Sequence, residues 1–319
     1  MESAKKVFSR VGFAQLAGAL AVIPISLLML PFANPETMQK ILDTAGPHVL
    51  LLMVYVPNLI SLLVFWLIIR KIPKADWKTE PLGFGKILGI FLMMYAIATL
   101  LNLAGGAVSK AAPAGGTEQL EIINSVVNTK LISGFAIVVL IGPLLEELMF
   151  RKLMIDRLHD YGESNAILFS ALCFGLFHGN LAQFLYAFGV GLFLGYVYCR
   201  TRRVTVTFLM HSLLNAFSSS LMLLVPFMQE DGDSAAAAVM LAALGLVLLI
   251  AVMVITGLIL TVIHLKKKDM VPDDSMASAV PKEDALKTIY LNPGVMLLFL
   301  VSIAGIAAGL LNLNLQLPL

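Results

Sequence analysis

Glu146 and Glu147 stand side by side in a run that is otherwise apolar until it ends at Arg151, Gly142-Pro143-Leu144-Leu145-Glu146-Glu147-Leu148-Met149-Phe150-Arg151. Two later blocks carry histidine: Phe174-Gly175-Leu176-Phe177-His178 and His211-Ser212-Leu213-Leu214-Asn215. Ionisable groups within apolar spans are costly in hydrocarbon and mark functional positions by default. Glu147 and Arg151 lie four residues apart with the acid before the base, so a helix places them on one face as an ion pair. That pairing keeps Glu147 ionised. Glu146, rotated roughly 100° around the helix, is left to meet a different neighbour and is the better candidate for a proton acceptor. His211 and Asn215, again four apart, point the same way and offer two hydrogen-bond donors, the minimum for stabilising an oxyanion in a water-poor cavity. His178 can orient an attacking water or share its proton. Isolated polar residues such as Asn58 and Asn102 occur in other spans, but no other span carries an acidic pair.

Taken in order, Glu146-Glu147-x-x-x-Arg151, Phe174-x-x-x-His178 and His211-x-x-x-Asn215 resemble the signature of the CAAX prenyl protease type II and bacteriocin-processing family, also called Abi or CPBP. Each motif alone is weak, whereas three in order on successive intramembrane blocks are specific. The resemblance covers Glu146 to Asn215 and does not extend to the flanks. It implies an intramembrane glutamic endopeptidase that needs no metal and no cofactor. On that reading Glu146 is the catalytic base and His178 helps to activate the water. Glu147 with Arg151 forms the supporting pair, and His211 with Asn215 forms the oxyanion site. The implied partner is a membrane-associated peptide or protein, such as a prenylated CAAX tail or a bacteriocin-related peptide.

The elements that must position these residues are membrane helices. Of 319 residues, 59% are hydrophobic and 13% charged, about half the charge of a soluble domain. The expected fold class is an all-α polytopic transmembrane bundle of eight or nine spans around an intramembrane catalytic cavity. Apolar runs fall at 11–32, 48–69, 87–106, 131–150, 164–178, 181–199, 204–227, 235–265 and 292–312. The pair across 164–199 reads either as two tilted helices or as a partly re-entrant hairpin. Three regions follow: N-terminal spans in 1–130, a catalytic core in 131–227 carrying the motifs, and C-terminal spans in 228–319 with a flexible polar linker at 266–291. Within the long connection at 106–129, Leu120, Ile123 and Val127 have the spacing of a short interfacial helix.

Alternate loops differ sharply in charge. All of the 22 basic residues except Lys40, Lys110 and Lys130 fall on one side, which the positive-inside rule makes cytoplasmic, together with the N-terminus. Lys5, Lys6 and Arg10 precede a first span that reads as retained rather than as a cleaved leader. A bacterial cytoplasmic membrane is the expected location. The net charge of +2 offers no concentrated basic surface for nucleic acid. Cys173 and Cys199 fit no metal or redox spacing and read as packing residues, and no function attaches to His48, His159 or His264.

Two other readings remain open at this level. One Glu and two His can bind zinc and leave a position for water, although no His-Glu-x-x-His pair places two ligands on one helix face. A transport, immunity or scaffold protein could instead use the buried polar groups to bind an ion or stabilise the bundle. Depth is the difficulty for the protease reading. Thirteen residues of helix, roughly 20 Å, separate Asn165 from His178. His178 reaches the depth of Glu146 only if the fourth and fifth helices project beyond the membrane around residues 152–165.

Overall fold

The computed structural model describes residues 3–29, 48–79, 82–111, 137–224, 233–276 and 278–311, together with Thr37, Lys40 and Thr44. The expected interfacial helix at 118–128 and the span ends at 131–136 and 225–227 lie outside the described residues. Among the described residues every regular element is helical. The helices are α1 (Ala4–Met29), α2 (His48–Ile69), α3 (Phe84–Ala111), α4 (Gly142–Glu147), α5 (Asp156–Leu158), α6 (Glu163–Phe177), α7 (Leu181–Thr201), α8 (Val204–Leu224), α9 (Asp233–Lys267), α10 (Lys282–Ala285) and α11 (Pro293–Leu310).

Five stretches are long and apolar enough to cross a membrane: Ala4–Ile25, Phe84–Ala111, Leu181–Thr201, Ala237–Lys267 and Pro293–Leu310. Tyr55–Ile69 and Glu163–Phe177 are shorter apolar helices. The chain is thus a multi-pass helical bundle, and length and composition among the described residues do not reach a count of eight or nine. The fourth expected span changes helix type without a break in the described residues: α4 is flanked by π-helical segments at Ile137–Ile141 and Leu148–Ile155. Pro143 sits in the first turn of α4, where a missing N–H costs least.

Helix α7 packs on both α3 and α6. On its α6 side, a Cβ built at Gly191 would lie 2.9 Å from the Ala171 Cα, and one at Gly195 would lie 3.1 Å from Ile167. The Gly191-x-x-x-Gly195 pattern therefore brings two backbones together, as small residues do in membrane bundles. Gly191→Leu is expected to force α6 and α7 apart at a cost of about 1–3 kcal/mol, read as a lowered thermal unfolding midpoint in detergent.

The turn between α5 and α6 determines where His178 falls. Gly162 adopts φ 112°, a conformation that L side chains rarely take, and reverses the chain. Glu146 and His178 each stand sixteen positions from Gly162 in sequence, one on the outgoing limb and one on the return. This hairpin returns His178 toward Glu146.

The segment read as a flexible linker is instead tied to this turn. Arg200 donates from Nη2 to Glu163 Oε1 at 2.7 Å and to the Val271 carbonyl at 3.1 Å. The Asp273 amide donates to Glu163 Oε2 at 3.1 Å, and Ser164 donates its amide and hydroxyl to Asp274. The Val280 amide donates to the Tyr161 carbonyl at 2.9 Å. A polar composition reads as a linker, but these polar groups have specific partners about 110 positions away.

His159, in the same turn, stacks on Trp77 with ring centroids 3.9 Å apart. Burial, reinforced by the charge of Arg200, pushes its pKa down from the ordinary 6.5 to about 4. The unfolded chain therefore binds this proton more tightly than the folded one. The stability linked to neutral His159 is complete above about pH 6.5 and is lost as the pH falls toward about 4. His159→Phe, which retains the stacking, is expected to flatten the fall in unfolding midpoint across that window.

Candidate active site

Glu147 ends α4, and Arg151 follows four residues later in the π-helical segment. Their side chains have no exposed surface, and Arg151 Nε lies 3.1 Å from Glu147 Oε2. Arg151 Nη1 donates to Ser170 Oγ at 3.3 Å, and Ser170 donates in turn to the Phe150 carbonyl at 2.8 Å. The guanidinium carbon lies 4.9 Å from the centroid of the Phe174 ring, a cation–π contact.

His211, on α8, bridges the two glutamates. Its Nδ1 is 3.1 Å from Glu147 Oε1, and its Nε2 is 3.6 Å from Glu146 Oε2. The adjacent glutamates thus share one imidazole at its two nitrogens, where helix geometry alone assigns them different neighbours. The reason is tertiary: α8 packs against α4 and inserts the ring between the two carboxylates. A neutral His211 that donates Nδ1–H to Glu147 keeps Nε2 as an acceptor, whereas an imidazolium donates from both nitrogens. In the imidazolium form, Arg151, Glu147, His211 and Glu146 make a row of alternating charge.

His178 ends α6. Its Nδ1 lies 2.9 Å from the Phe174 carbonyl, and donation there leaves Nε2 as an acceptor. The Phe174 ring meets the His178 ring edge-on at 5.1 Å and the His211 ring at 5.6 Å. One phenyl ring therefore positions both histidines and Arg151. Asn215 is half-buried one helical turn beyond His211. Thr207, one turn before it, is fully buried and donates its hydroxyl to the Val204 carbonyl at 3.1 Å.

Ser170 and Thr207 are polar neighbours of the motif residues that the three motifs do not include. Their positions carry a signal all the same. Thr207, His211 and Asn215 repeat every fourth residue, as do Ser170, Phe174 and His178, so each set lines one helix face.

A cavity of about 20 Å³ opens beside Glu146, with Asn58, Gly142, Leu145, Phe150 and Phe177 among its walls. One water needs roughly 10–15 Å³. Glu146 borders this space with a side chain 21% exposed. Glu147 and Arg151 are sealed behind it, while His178, His211 and Asn215 are not part of the wall. Among the described residues, no three His, Cys, Asp or Glu side chains are arranged to hold a metal ion.

Residues 128–217 match the family model described as Rce1-like, type II CAAX prenyl endopeptidase Rce1-like. The site lies in a Rce1-like segment. Glu146 through Asn215 fall inside it, while Asn58 falls outside. The chain is 32% identical over 152 residues to the membrane-embedded CAAX protease MroQ of Staphylococcus aureus, across 46% of this chain and 58% of that protein. It is 26% identical over 166 residues to YdiL of Bacillus subtilis, assigned as a membrane peptidase, across 49% of this chain and 65% of YdiL. The similarity thus spans less than two thirds of either relative. No solved structure gives a significant match. The Rce1-like match and these two relatives agree with the family resemblance carried by the three motifs.

Proposed function

We propose that this protein is an intramembrane endopeptidase that hydrolyses a peptide bond of a membrane-associated substrate with water activated by Glu146. The observation that carries the reading is that Glu146 alone among the motif carboxylates borders a water-sized cavity, while Glu147 is buried against Arg151 and His211. Glu146 takes a proton from water as the water oxygen bonds to the scissile carbonyl carbon. The carbonyl electrons move onto oxygen, and the resulting oxyanion is held by the Nε2–H of a His211 imidazolium, whose Nδ1–H stays on Glu147, and by the Asn215 amide. Collapse re-forms the carbonyl and breaks the C–N bond. The proton on Glu146 passes to the departing amine, restoring the carboxylate.

His178 fixes one ring nitrogen on the Phe174 carbonyl and leaves the other as an acceptor; because it lies outside the wall of the Glu146 cavity, it reaches the water only once the bound peptide widens that space. The Rce1-like match and the name of the Staphylococcus aureus relative favour a peptide of the CAAX type, and the distribution of basic residues favours a cytoplasmic N-terminus in a bacterial membrane. The test is a comparison of membrane peptidomes from cells carrying the wild type or Glu146→Gln. The protease reading expects peptide termini that appear only with the wild type, and identical peptidomes contradict it. A glutamate-activated water also expects cleavage by the purified protein to survive exhaustive chelation. Activity lost on chelation and restored by zinc would assign the water to a metal instead.

A further inference from the structure

We infer that Tyr55 and Asn58, both on α2 and outside the Rce1-like segment, form a substrate-positioning wall that binds the peptide backbone beside Glu146. The inference rests on the proteolytic reading above and adds how the peptide is held. Asn58 lines the same cavity as Glu146, and α2 packs against α4. Tyr55 precedes Asn58 by three residues, so the two side chains share a helix face. Tyr55 is 7% exposed, and its hydroxyl has no hydrogen-bond partner among the described residues. Buried hydroxyls are rarely left unpaired, and this one stands within electrostatic reach of Glu146.

The chemistry fits a peptide. A carboxamide accepts from an N–H and donates to a C=O, and a phenol hydroxyl adds a second donor. Together they match the alternating donors and acceptors of an extended backbone rather than any one side chain. Tyr55 stands one helical turn from Asn58, outside the present cavity, whose wall around Asn58 is made apolar by Leu145, Phe150 and Phe177, so the residue next to the scissile bond is apolar. Neither Tyr55 nor Asn58 takes part in the bond-making steps, and their removal therefore weakens binding more than turnover.

The experiment uses the full-length protein in detergent with an internally quenched peptide that carries a farnesylated cysteine followed by three residues. Tyr55→Phe, Asn58→Leu and the double variant are made in the parent and in a Glu146→Gln background. KM and kcat are measured in the first, and equilibrium binding of the same peptide in the second. Loss of one neutral hydrogen bond corresponds to about fivefold in affinity. Each single change is expected to raise KM and Kd about fivefold and the double change about 20-fold, with kcat within about threefold.

Active variants with unchanged KM and Kd overturn the proposal, and so does a fall in kcat alone, which a purely structural role would give. If the parent fails to cleave but Tyr55→Phe still weakens binding, the proteolytic reading falls and the positioning wall stands. Absence of both cleavage and binding overturns both. Should Asn58→Leu fail to fold, Tyr55→Phe, which removes a single oxygen, decides the question.

Discussion

Glu146→Gln is expected to lower peptide cleavage by about 10²–10⁴-fold while membrane insertion and thermal stability stay near those of the wild type. The glutamine side chain has nearly the same shape but cannot accept the water proton. Little structure depends on the charge. Glu146 is 21% exposed, and its contact with His211 Nε2 is 3.6 Å, too long for a strong hydrogen bond. The two measurements must therefore separate, with activity falling while the unfolding midpoint holds. A comparable loss of both would make Glu146 a structural residue.

Arg151→Met is expected to do the reverse first. Both partners of the Arg151–Glu147 pair are fully buried, and removing one member of such a pair leaves an uncompensated charge, at a cost of about 3–5 kcal/mol. The substitution also ends the Ser170 hydrogen bond and the contact with Phe174. Adding Glu147→Gln removes the stranded carboxylate, so the double variant is expected to regain much of the lost stability, as uncharged replacements of buried pairs often do. It is not expected to regain activity, because His211 Nδ1 then faces an amide rather than a carboxylate. Stability from thermal unfolding and cleavage rates, measured on the same three proteins, check this. Recovery of both properties together would show that Glu147 has no role in orienting His211.

The grouping of the motif residues was legible in the sequence where it follows helical spacing. Glu147 with Arg151 and His211 with Asn215 are pairs at i and i+4, and any helix puts such residues on one face. The apolar composition likewise identifies a helical membrane bundle, because spanning backbones must satisfy their hydrogen bonds internally. What depends on packing between helices was not legible. Spacing along α4 separates Glu146 from Glu147, yet α8 brings one imidazole to both. The depth of His178 depends on a single left-handed turn at Gly162, midway between the two motif residues. Asn58 is visible as an isolated polar residue, but only the packing of α2 on α4 places it beside Glu146. The segment at 266–291 has the composition of a linker, and the ties from Asp273 and Asp274 to Glu163 and Ser164 leave no mark on composition.

These features give α4 and its π-helical continuation a division of labour. Glu147 and Arg151, sealed from solvent, hold His211, and Glu146 one residue away borders the cavity. π-Helical turns often occur at functional sites, and here one begins at Leu148, directly after the glutamate pair. The most direct test of glutamate-activated proteolysis sets purified wild type beside purified Glu146→Gln. Each is incubated with the farnesylated peptide, and the products are weighed by mass spectrometry. The wild type is expected to add one water across a single peptide bond, and the variant to leave the peptide intact. Equal cleavage by the two proteins, or no cleavage by the wild type, would contradict glutamate-activated proteolysis.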